Sequence, residues 1–172
     1  MRIGTGYDSH RFDPEKPLWL GGVLIPDHPG LTGHSDGDAV AHAVIDALLG
    51  AAALGNVGSH FPPDDDTWKD ADSMDLLARA VNVLEGAGYQ VVNVDVTIVA
   101  ETPRVGPWID SMRARLGAIL TTGPAAVSVK GKSNEGMGWI GAGEGIAVHA
   151  VALVDTPEGF PDLWSAGDDT PD

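Results

Sequence analysis

The sequence contains no cysteine, and only ten of its 172 residues are lysine or arginine. The first absence excludes disulfides, thiolate metal sites and a cysteine nucleophile, so any metal must be held by His, Asp or Glu. The second removes the clustered positive charge needed to neutralise a nucleic-acid backbone, and a formal net charge of −15 argues the same way. No nucleic-acid partner is expected, although metal ions and helix N-termini let an acidic protein bind an anionic substrate locally. Long apolar runs are also missing: none approaches the roughly 20 residues that cross a bilayer, and MRIGTGYDSH carries no apolar segment of signal-peptide length. A cytoplasmic protein without membrane contact is expected.

What is present has the balance of a single globular domain, with 43% hydrophobic and 20% charged residues. The charge is unevenly spread, since from Asp155 onward there are six acidic residues and no basic one. Residues 155–172, rich in Pro, Gly and Asp, read as a mobile tail that only Phe160, Leu163 and Trp164 are equipped to dock, behind a folded body of residues 1–154.

Within the body, RIGTGYD and LWLGGVLIP have strand character and suggest a hairpin, and the turn formers of residues 27–37 suggest a mobile loop. DAVAHAVIDALLGAAALG reads as a helix with Asp38 as N-cap and Gly55 as its stop. A second helix follows, capped at Ser73 and stopped at Gly86 or Gly88. VVNVDVTIVA is β-branched and strand-like, Pro107 opens a third helix, and AVSVKGKS and GIAVHAVALVD read as further strands. Strands and helices alternate, while the early hairpin makes the sheet mixed.

The chemistry concentrates in GYDSHRF, residues 6–12. On a strand, Asp8 and His10 point to the same side. The first helix adds His42 near its start, with Asp46 one turn later on the same face as a candidate hydrogen-bond acceptor for its ring. Two imidazoles and one carboxylate leave a coordination position open, as a catalytic zinc site requires. His28, His60 and His149 read as ordinary structural histidines, the last packed within an apolar strand. His34, in the run HSDGD leading into the helix of His42, is placed for anion binding. KGKSNEGMGWIGAGEG, residues 130–145, is a glycine-rich turn after a strand, but it lacks the P-loop pattern.

Together GYDSHRF, HSDGDAVAHAVIDALLGAAALG, FPPDDD, NVDVTIVAETPR and the E-G-x-G-x-x-G-x-G-E-G run of residues 135–145 resemble the 2-C-methyl-D-erythritol 2,4-cyclodiphosphate synthases of the non-mevalonate isoprenoid pathway. The resemblance covers residues 1–154 in order. It implies an α/β (α+β-like) subunit with a mixed four-stranded sheet and helices on one face, assembled as a homotrimer around a central cavity, with active sites between subunits. The implied reaction converts 4-diphosphocytidyl-2-C-methyl-D-erythritol 2-phosphate to the cyclic diphosphate and CMP. By position, Asp8, His10 and His42 match the ligands of a zinc (or manganese) ion, and Glu135 matches the ligand of a second ion, magnesium or manganese. His34 and Ser35 fall on the family's loop over the substrate, and Ser133 stands where a hydroxyl, commonly threonine, stabilises the transition state. His34 and Ser133 are thus the implied catalytic groups. Asn56, Val57 and Gly58 with Phe61, Pro62, Pro63, Asp64 and Asp65 match the erythritol lining. Ala100, Pro103, Arg104, Gly106 and Lys132 match the cytidine diphosphate pocket, and Ser9, Asn134 and Trp139 complete the implied substrate contacts.

Three positions depart from the family pattern. Asn56 replaces an expected aspartate, Lys132-Ser133-Asn134 replaces a threonine-rich run, and Ala142 stands where an arginine commonly reaches the central cavity in which isoprenoid diphosphates bind. The cavity is therefore not expected to hold such a ligand in the same way. A cytidylyltransferase domain of the kind fused in some relatives is not expected either, because the chain starts at the motif. The competing possibilities are a metal-dependent phosphohydrolase, with water replacing the 2-phosphate, and a noncatalytic nucleotide- or metal-binding trimer.

Overall fold

The structure, a computed structural model, describes residues 1–157. Most of the acidic tail, including Phe160, Leu163 and Trp164, lies outside the described residues. Strand β1 (Arg2–Leu20) is long because its two halves have different partners. Arg2 to Arg11 pair antiparallel with β5 (Gly145–Asp155), and Phe12 to Leu20 pair with β2 (Val23–Leu31) across an irregularity between Asp13 and Leu18. Strand β3 (Gln90–Val99) runs antiparallel to β5 and parallel to β4 (Val127–Lys132). The result is one mixed sheet of five strands, in the order β2-β1-β5-β3-β4.

Two expectations are corrected by this topology. The sheet has five strands where four were implied, because FDPEKP bends β1 without ending it and so leaves its second half free to pair with β2. The loop expected over residues 27–37 is shorter, since β2 continues to Leu31. Its two prolines, Pro26 and Pro29, are tolerated because β2 is an edge strand with a ladder on one side only.

Helix α1 (Ala39–Ala51) is the centre of the core, with Val44, Ile45, Leu48 and Leu49 wholly buried, each worth about 2 kcal/mol. It lies unusually close to β1. A Cβ on Gly6 would sit 1.9 Å from the Ala43 carbonyl oxygen, and one on Gly4 would sit 2.0 Å from that of Ala47. The absence of side chains at these two positions therefore lets the helix settle directly over the strand, and so over Asp8 and His10 further along the same face. Asp38 is the N-cap, as expected: its buried carboxylate accepts from the backbone of Val40 and Ala41 and, across the core, from that of Gly21 and Gly22. Burial pushes its pKa up against the pull of these donors. The helix ends at Ala51, before Gly55.

Short helix α2 (Val57–His60) follows, then α3 (Ser73–Gly86), whose buried Met74, Leu77, Ala80, Val81 and Leu84 form a stripe at helical spacing against α1. Its N-cap is Asp72 and not Ser73, because the Asp72 carboxylate accepts from Met74 N and the Ser73 hydroxyl is used elsewhere. Pro107 lies in a 3-10 turn that leads into α4 (Ile109–Ile119), and a final turn, α5 (Gly138–Gly141), precedes β5. Alternation in the sheet sends Val94, Val96, Ile98, Ile146 and Val148 inward and leaves Ile3, Tyr7, His149 and Val151 exposed on the other face. Among the described residues, no helix is long and apolar enough to cross a membrane.

Candidate active site

Asp8 and His10 project from β1 and His42 from the first turn of α1, so that the close strand-helix contact brings them together. Their ligating atoms all lie within 4.8 Å of one another. His10 Nε2 is 2.8 Å and His42 Nδ1 3.2 Å from the same oxygen, Asp8 Oδ2. His10 Nε2 is shielded from solvent yet makes no hydrogen bond, because its alignment on that oxygen is poor. A buried ring nitrogen without a well-aligned hydrogen-bond partner is costly unless its lone pair has another use, and coordination supplies one. These three groups fit a divalent metal ion in chemistry and in spacing. Burial alone would raise the Asp8 pKa, but the adjacent imidazoles of His10 and His42 hold it well below the usual carboxylate range. Burial lowers the pKa of His42, and the carboxylates of Asp8, Asp38 and Asp36 together more than offset this.

A pocket of about 220 Å³ opens from the triad, lined also by His34, Ser35, Val57, Gly58, Phe61, Pro63, Trp68 and Leu76. His34 Nε2 donates to the Asp65 carbonyl oxygen at 3.3 Å, and Phe61 meets Trp68 edge-on at 5.1 Å. Asn56 caps α2, its side chain accepting from Ser59 N. Asp46 is not a partner of His42. Its carboxylate accepts from Val57 N at 2.7 Å and so ties α2 to α1. The groups that do contact His42 Nε2 are Ser35 Oγ at 3.1 Å and Ser73 Oγ at 3.0 Å.

A second cavity, of about 500 Å³, lies at the ends of β3 and β4 and is lined by Ala100, Glu101, Pro103, Arg104, Gly106, Lys132 and Ser133 among others. Ser133 Oγ donates to Glu135 Oε1 at 3.1 Å, and the turn that carries both is held by Glu101, whose Oε1 accepts from Asn134 N and Gly136 N. The two cavities share no lining residue. Ser9 and Trp139 line a third, of about 270 Å³, with His10, Arg11 and Glu144.

Every described histidine outside the triad and His34 has an ordinary contact. His28 bonds Thr102 Oγ1, His60 donates to the Leu54 carbonyl, and His149 sits against Tyr7 with ring centroids 4.9 Å apart. His149 is exposed on the outer face of β5 and not packed inside it, because strand alternation turns it away from α1. Asp36, Ser73, Trp68, Glu101 and Lys16 were not singled out from the sequence as site residues. Lys16 Nζ donates to the carbonyls of Gly33 and Ser35 and so braces the loop of His34. Asp36, inside HSDGD, and Glu101, inside NVDVTIVAETPR, lay in segments marked for function.

Residues 1–155 match the family described as the YgbB family. The chain belongs to that family. Its YgbB-family relatives include a protein from Symbiobacterium thermophilum named 2-C-methyl-D-erythritol 2,4-cyclodiphosphate synthase, 55% identical over 90% of this chain and 98% of the relative. A protein of the same name from Moorella thermoacetica is 52% identical over 90% of this chain and 94% of its own length. Among solved structures, a 2C-methyl-D-erythritol-2,4-cyclodiphosphate synthase in its CDP-bound form is similar with a TM-score of 0.82 and 34% identity, covering 90% of this chain and 100% of that one.

Proposed function

We propose that this protein, in the cytoplasm, converts 4-diphosphocytidyl-2-C-methyl-D-erythritol 2-phosphate to 2-C-methyl-D-erythritol 2,4-cyclodiphosphate and CMP, as a lyase of isoprenoid precursor synthesis. The observation that carries this is the convergence of Asp8, His10 and His42 beside a pocket, in a chain whose relatives are named for that reaction. An oxygen of the 2-phosphate forms a bond to the β-phosphorus as the bond from β-phosphorus to the bridging oxygen breaks. CMP leaves with that oxygen and its electron pair, and no water is consumed. The attacking phosphate is already charged near neutral pH, its second ionisation lying at about 6, so a strong general base is unnecessary.

The barrier lies in holding two phosphates in line and stabilising charge on the transferred group. Zinc or manganese held by Asp8, His10 and His42, with magnesium or manganese on Glu135, would supply neutralisation and polarisation of the diphosphate. His34 and Ser35 hold the substrate over the triad, and the Ser133 hydroxyl donates to the developing charge. Arg104 and Lys132 bind phosphate in the larger cavity, while Ala100 to Gly106 enclose the cytidine. Val57, Gly58, Phe61 and Pro63 line the erythritol.

The separation of the two cavities within one chain supports a site shared between subunits. The exposed sheet face of Ile3, Tyr7 and Val151 supports a homotrimer that buries it around a central cavity. Purified protein given the substrate and divalent metal is expected to release CMP and cyclic diphosphate in equal amounts, while Asp8→Ala binds no zinc and falls to background. CMP accompanied by an uncyclised bisphosphate would identify a hydrolase instead.

A further inference from the structure

The hydrogen-bond network behind His42 is directional. Asp36 Oδ1 lies 2.5 Å from Ser73 Oγ and 3.1 Å from Asp38 N, and its Oδ2 accepts from Ser73 N at 3.1 Å. An ionised carboxylate only accepts, so the hydroxyl hydrogen of Ser73 is committed to Asp36. Ser73 Oγ then has only lone pairs left for His42 Nε2, 3.0 Å away. Ser35 Oγ completes the set. It accepts from Gly37 N, and its own hydrogen can go to Ser73 Oγ at 3.2 Å, which leaves a lone pair toward the same His42 nitrogen at 3.1 Å. Ser73 is wholly buried and Ser35 nearly so, so these bonds cannot be exchanged freely with solvent.

We propose that Asp36 and Ser73 are positioning residues for His42: the Asp36-Ser73 pair presents an acceptor to Nε2–H and so favours Nδ1 as the nitrogen that ligates a bound metal ion. A neutral imidazole has one N–H. With that hydrogen drawn to Nε2, the lone pair falls on Nδ1, the nitrogen 3.2 Å from Asp8 Oδ2. The device joins three segments: the HSDGD loop, the first turn of α3 and the first turn of α1. Metal-binding geometry at β1 is therefore set in part by a serine 65 positions along the chain from Asp8. The proposal rests on the metal site described under the proposed function.

Zinc-loaded protein labelled with ¹⁵N-histidine is expected to show the His42 Nε2–H protected from solvent exchange, and Ser73→Ala is expected to speed that exchange. Ligation through Nε2, or an Nε2–H that exchanges as fast in the wild type as in Ser73→Ala, would overturn the proposal. Failure of the wild type to bind zinc would instead overturn the metal-site reading. Asp36→Ala removes the acceptor that commits the Ser73 hydrogen and leaves it free to turn toward His42 Nε2. Asp36→Ala and Ser73→Ala are each expected to weaken Zn²⁺ binding, measured by chelator competition, by about 10–100-fold while keeping the helical circular dichroism of the wild type. Wild-type zinc affinity in the folded variants would contradict it.

Discussion

Asn56 occupies a position where the resembled family carries an aspartate, and its side chain has a structural task. Its Oδ1 accepts from Ser59 N at 2.9 Å, and the Ser59 hydroxyl donates back to the Asn56 carbonyl at 2.7 Å. With the oxygen used in the cap, the amide Nδ2 is the group left for a substrate hydroxyl, a donor where an aspartate offers only acceptors. Asn56→Ala is expected to cost ~1 kcal/mol in urea unfolding and to raise KM. Asn56→Asp keeps the cap and therefore the stability. Equal loss in both variants would contradict this division of roles. The cap itself was not foreseen, since Asn56 was marked only as a substrate residue by position. Asp38 was legible as a cap from the apolar helix that follows it, whereas α2 is too short to leave a periodic signal.

At the scale of elements, local pattern and long-range contact differ in what they reveal. The β-branched run of β3 and the alanine-rich run of α1 announce themselves, and the D-x-H spacing on β1 points both ligands to one side. The contacts that orient the site have no such spacing. Ser73 reaches Asp36, Lys16 reaches the loop of His34, and Glu101 reaches Asn134 and Gly136. Glu101 bridges the end of β3 to the turn after β4, where Glu135 adopts φ 51°. A non-glycine residue in that left-handed region costs of order 1 kcal/mol, which the two bonds to Glu101 offset. Glu101→Ala is expected to lower kcat by about 100-fold through misplacement of Ser133 and Glu135. Glu101→Gln keeps a carbonyl acceptor and is expected to remain near wild type. If steady-state kinetics show the two variants equally impaired, the carboxylate has a role other than holding the turn.

At the scale of the whole molecule, the sheet is covered on one side only. Helix α1 and, at the β4 edge, α4 pack on one face, and Ile3, Tyr7 and Val151 stand 70%, 51% and 43% exposed on the other. In the proposed trimer this apolar face is the association surface. Sedimentation is expected to give roughly three times the chain mass of 17.8 kDa. Val151→Glu is expected to yield a monomer that still binds zinc through Asp8, His10 and His42 but has lost turnover. An active monomer would refute the shared site. The mixed α/β class was legible from the alternation of elements, and the full course of β1 was not, because the Pro- and charge-bearing bend in it reads locally as an end.

Turnover in H₂¹⁸O, with both products examined by mass spectrometry, tests the proposed reaction most directly. Attack by the 2-phosphate consumes no water, so CMP and the cyclic diphosphate are predicted to form in equal amounts and free of ¹⁸O. Label in CMP, or in an opened erythritol phosphate, would show water as the nucleophile and contradict the cyclisation.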